Sequence, residues 1–89
     1  MITNCKTTMN AIIVEYDDNY ACAIMRDKII SISYIFERKD DRLREGNGCY
    51  YGKIEAQLAV GTKVLWDCVA DNHDDCAALI TEMFNKLIV

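Results

Sequence analysis

The chain has 89 residues, 52% of them hydrophobic and none proline, and carries a formal net charge of −4. That length makes one compact domain, residues 1–89, whose core buries about 60–65% of the unfolded surface. Fourteen acidic side chains against ten basic ones argue against direct binding to nucleic acid, because phosphate contacts need a basic surface.

The start, MITNCKTTMN, is polar and has no apolar core of a secretory signal. Residues 1–9 predict a loose start or a short edge strand. Asn10 to Tyr16 (NAIIVEY) is rich in β-branched residues and predicts a strand. Asp17-Asp18-Asn19 is a turn, and Tyr20 to Arg26 (YACAIMR) a second strand. Asp27-Lys28 separates two apolar runs and suits a tight hairpin into a third strand, Ile29 to Phe36 (IISISYIF). In it Ile30, Ile32, Tyr34 and Phe36 share one face by the period of two. Glu37 to Gly48 is charged at eight of its first nine positions and reads as a solvated loop or hairpin tip. Cys49 to Val60 is a fourth strand, with Gly52 as a bulge and Ile54, Ala56, Leu58 and Val60 on one face. Gly61-Thr62-Lys63 closes a hairpin onto a fifth strand, Val64 to Ala70.

The last stretch, 71–89, is an amphipathic helix. Cys76, Leu79, Ile80, Met83, Phe84, Leu87 and Ile88 fall on one face. Asp71 or Asn72 caps it, Asp74 and Asp75 complement the dipole at its start, and Lys86 does so near its end. The fold class is therefore α+β: an antiparallel meander of about five strands with helix 72–88 packed on one face. One helix cannot cover such a sheet on both sides. The other face is polar, curled or covered, and would carry some of Ile29, Ile35, Tyr16, Tyr34, Tyr50 and Tyr51. The surplus apolar content fits a homodimer or partner interface as well as it fits a well-filled core.

Residues 1–63 hold nine acidic and nine basic side chains, so the whole net charge belongs to 64–89. There Asp67, Asp71, Asp74, Asp75 and Glu82 face Lys86 alone. An acidic surface attracts a basic partner, although aspartates at a helix start are also ordinary complements of the dipole. Trp66 stands in the same stretch. It belongs to a core by default, and would be an interface anchor if exposed.

Five cysteines without a signal sequence point to free thiols in a reducing, cytoplasmic setting, whether of the parent cell or of an infected host. Cys68, His73 and Cys76 are the one constellation resembling a metal site, but the paired CxxC knuckles of structural zinc are missing. His73 and Cys76, three apart on a helix, resemble a base and nucleophile, yet Asp74 and Asp75 oppose a thiolate there. The carboxylate pairs Asp17-Asp18, Asp40-Asp41 and Asp74-Asp75 lack a calcium-loop pattern. There is no phosphate-binding glycine loop and no serine elbow. The expectation is thus a protein with no catalytic residue, metal or cofactor.

Two functional expectations follow. One is a small acidic binding or inhibitor protein of the antitoxin, immunity or phage counter-defence type. It would occlude a basic site on a larger protein through Asp67, Asp71, Asp74, Asp75, Trp66, Tyr50 and Tyr51, with neither membrane nor direct nucleic-acid binding. The alternative is a small-molecule or nucleotide sensor, or small enzyme, using residues 37–51, with Cys49, Tyr50 and Tyr51 lining a pocket and Arg42 or Arg44 holding an anion.

Overall fold

The computed structural model describes residues 2–40 and 48–88. The elements run β1 (Ile2–Thr7), β2 (Ala11–Tyr16), β3 (Ala21–Met25), a 3-10 turn (Arg26–Lys28), β4 (Ile29–Asp40), β5 (Gly48–Leu58), β6 (Gly61–Ala70) and α1 (His73–Ile88). The class is α+β with antiparallel pairing throughout, but the expected five-stranded meander is replaced by two three-stranded sheets, β1-β2-β3 and β4-β5-β6. No helix among the described residues is long and apolar enough to cross a membrane.

The division falls at Asp27-Lys28, where a hairpin was expected. The chain makes a 3-10 turn there, and β4 pairs with β5 instead of β3. Arg26 explains why the chain does not fold back. Its backbone N–H bonds to the Asn10 carbonyl, its Nε donates to the Thr8 carbonyl at 3.2 Å, and its Nη1 donates to the Leu87 carbonyl at 3.0 Å. A guanidinium on the last turn satisfies an orphan carbonyl and sits at the negative end of the helix dipole. We expect Arg26→Ala to lower stability by about 1–2 kcal/mol, or roughly 5–10 °C in melting temperature, by thermal unfolding. An unchanged melting temperature would mean the bridge carries no stability.

Other local differences have equally local causes. Residues 1–9 do hold a strand, with β1 at the edge of its sheet. Glu37 to Asp40 are not loop. They extend β4 and pair with Tyr51 to Gly48, and the Glu37 and Arg38 side chains are exposed, where charge is tolerated on an antiparallel ribbon; residues 41–47 lie outside the described set. The Asp17-Asp18-Asn19 turn is present, with Asn19 at φ 63° and the Tyr16 N–H on the Tyr20 carbonyl. The expected Gly61-Thr62-Lys63 loop is instead a two-residue turn, Ala59-Val60, closed by the Leu58–Gly61 pair. Gly61, at φ 138°, holds a backbone that a side chain resists. Val60 therefore sits in the turn, 95% exposed, and leaves the face it was expected to share.

Bulges fall elsewhere than expected. One lies at Ile30, between the Ile29–Leu58 and Ser31–Gln57 pairs. It turns Ile29 onto the core and leaves Ile30 65% exposed. Another lies at Leu65, between the Ile54–Trp66 and Glu55–Val64 pairs, and brings both Leu65 and Trp66 to the core side. Gly52 is in regular register with Phe36 and Cys68. Its role is steric: a Cβ there would stand 2.5 Å from Ile80 Cγ1 and 3.0 Å from Cys76 Sγ.

One cluster joins the three layers. Ile12, Val14 and Ile24 come from the first sheet, Ile54, Ala56 and Leu65 from the second, and Cys76, Ile80 and Leu87 from α1. The first sheet thus covers the part of the β4-β5-β6 face that the helix leaves open. The opposite face of β4-β5-β6 is largely polar. Lys53 pairs with Glu55 at 2.7 Å, and Ser31 donates to Gln57 at 3.5 Å. Ile35 and Tyr51 point to that side, while Ile29, Tyr16 and Tyr50 pack against the core.

Candidate functional site

The acidic end of the molecule is built where β6 hands the chain to α1. Asn72 is the helix cap: its Oδ1 accepts the Asp75 N–H at 2.8 Å, and its Nδ2 donates to Asp75 Oδ2 at 2.9 Å. This reciprocal arrangement satisfies a free amide of the first turn and fixes the Asp75 carboxylate. Asp71, Asp74 and Asp75 are all exposed, and the Asp74 side chain fully so. His73 Nδ1 lies 3.5 Å from Asp74 Oδ1. Three carboxylates thus crowd the positive end of the dipole, where negative charge is stabilised.

An aromatic chain runs along the seam between β4 and α1. The His73 ring lies 5.5 Å from Tyr50 and 5.6 Å from Phe36 between centroids. Phe36 continues to Tyr34 at 5.4 Å, and Tyr34 to Phe84 at 4.9 Å, edge to face. Such pairs favour edge-to-face geometry because the ring edge is positive and the face negative. Tyr34 remains 44% exposed, so the seam reaches the surface. The period of two had marked Tyr34 and Phe36 as neighbours on one face. The part played by His73 and Phe84 emerges only once the helix lies across β4.

The other predicted partner residues separate. Asp67 is on the far face of β6, where the Tyr51 hydroxyl donates to its Oδ2 at 3.3 Å. Burial, then the Asp67 charge and this hydrogen bond, raise the Tyr51 phenol above its ordinary value. Trp66 turns to the core side and is half-buried. Tyr50 and Tyr51, being adjacent on β5, take opposite faces. Arg42 and Arg44 lie outside the described residues.

Cys68 and Cys76 meet across the sheet–helix boundary, sulfur to sulfur at 3.9 Å. Cys76 is fully buried and Cys68 half-buried. Burial, then the neighbouring Cys76 thiol, pushes the Cys68 thiol up to about 11. His73 engages Phe36, Tyr50 and Asp74 rather than these sulfurs. Among the described residues no group of three or more His, Cys, Asp or Glu side chains is placed to hold a metal ion.

The acidic helix start beside a surface-reaching aromatic seam is therefore the arrangement that the fold assembles. No protein-family model, curated protein or solved structure matches the chain.

Proposed function

We propose that this chain is a small acidic binding protein, acting without catalysis by seating its carboxylate end on a basic site of a larger protein and blocking that site. The observation that supports the reading is the exposure of Asp71, Asp74 and Asp75 on one rigidly capped helix start. Opposite charge speeds encounter and sets orientation, while a neighbouring aromatic contributes buried area. Tyr50 and the His73 ring beside it supply that neighbour. Asp67 and Tyr51, on the far face of the sheet, would widen the charged footprint around the end of β6.

The test uses the quadruple variant Asp67→Asn, Asp71→Asn, Asp74→Asn, Asp75→Asn, which keeps the size and one acceptor oxygen of each side chain while removing four charges. Tagged wild-type and variant proteins are exposed to lysate of the native cell or of its host, and retained proteins are identified by mass spectrometry. We expect one stoichiometric partner, released at high salt and weakened by about 2 kcal/mol, roughly thirtyfold in Kd, in a variant that melts cooperatively. Equal capture by the variant would sink the acidic-end reading. Retention indifferent to salt would move the interface to the apolar seam along β4.

A further inference from the structure

We infer that Cys68 and Cys76 form a reversible oxidation site, in which a peroxide converts the dithiol to a disulfide that staples β6 to the first turn of α1. Four observations meet here. The sulfurs are already 3.9 Å apart. They come from different elements, β6 and α1, joined through the exposed residues 71–75. Gly52, paired with Cys68 on the neighbouring strand, leaves the space in which the Cys76 sulfur sits. Their exposure differs, with Cys68 half-buried and Cys76 fully buried. A disulfide requires a sulfur separation of about 2.05 Å, and rotation about the Cα–Cβ bonds can supply the approach.

The difference in exposure sets the order of events. Cys68 meets the oxidant first. Its thiolate attacks one peroxide oxygen, the O–O bond breaks, and Cys68 becomes a sulfenic acid while the other oxygen leaves as water. The Cys76 sulfur then attacks the sulfenic sulfur. The S–O bond breaks, a second water carries away the Cys76 proton, and the S–S bond closes. Two thiols lose two electrons, and one peroxide becomes two waters. Because the Cys68 thiol is held high, at about 11, its thiolate is scarce at neutral pH and the pair stays reduced until peroxide is in excess. The closed link pins the segment that carries Asp71, Asp74 and Asp75 to the sheet.

The experiment treats reduced protein with hydrogen peroxide at pH 8, then denatures and alkylates it. We expect an intact mass lower by about 2 Da before alkylation and two fewer alkylated thiols. Peptide mapping should show a Cys68–Cys76 link that dithiothreitol reverses. The oxidised protein should melt higher by about 5 °C, as a short closed loop restricts the unfolded chain. Cys76→Ser should leave a sulfenic acid on Cys68 that dimedone captures. Cys22→Ser combined with Cys49→Ser should leave the link intact. A link through Cys22 or Cys49, covalent dimers, or no link at all would overturn the inference. So would equally fast formation of the Cys68–Cys76 link in urea-unfolded chain, since the native approach would then contribute nothing.

Discussion

Gly52→Ala destabilises the fold by about 2 kcal/mol, a fall on the order of 10 °C in melting temperature. The added methyl carbon arrives 2.5 Å from Ile80 Cγ1 and 3.0 Å from Cys76 Sγ, both on fully buried side chains with no room to yield. The backbone at Gly52 is regular strand in register with Phe36 and Cys68, so the loss is steric and not conformational. Strand propensity alone would have Ala at least as good as Gly at this position. The clash can be isolated by a double-mutant cycle. Ile80→Ala alone costs about 2–5 kcal/mol by opening a cavity. Combined with Gly52→Ala it should cost clearly less than the two losses added, because the new methyl then occupies vacated space. Strict additivity would show that Gly52 does not set the sheet–helix distance.

Ile54→Ala has a larger effect, about 3–4 kcal/mol, a large share of the roughly 5–13 kcal/mol that a domain of this length commands. Ile54 is fully buried on the middle strand of its sheet, in the cluster that joins both sheets to α1. Its loss leaves a void that no single element can collapse to fill. Chemical denaturation should show a lower midpoint with an unchanged slope. As a comparison, Ile30→Ala, at the bulge and 65% exposed, should fall within about 0.5 kcal/mol of the wild type. If both variants behaved alike, the assignment of Ile29 rather than Ile30 to the core would be wrong.

The two isoleucines show how far a period of two reaches. Counting by two along IISISYIF puts Ile30 on the face of Ile32, Tyr34 and Phe36. The extra residue between the Ile29–Leu58 and Ser31–Gln57 pairs brings Ile29 to the core as well, and it is Ile29 that packs there. A bulge is set by the partner strand and leaves no local mark. The 37–40 stretch teaches the same lesson. Four charged residues in a row read as loop, yet hydrogen bonds to residues 48–51 keep them in β4.

The sequence by itself determined the helix, because every hydrogen bond of a helix closes within four residues and its cap and apolar stripe are written in the same short segment. It determined where most strands lie, the turn at 17–19, and the concentration of negative charge in the last third. Only the tertiary structure decided which faces are inward, that Asp27-Lys28 passes the chain between two sheets, and that Arg26 reaches Leu87 across 61 positions. The same holds for the candidate site. Asp71, Asp74 and Asp75 were legible as neighbours, whereas the seam from Tyr50 through His73 to Phe84 and the Cys68–Cys76 contact join segments far apart in the chain or in different elements. Strand pairing and sheet–helix packing are settled by burial and register among distant residues, and no local pattern encodes that competition.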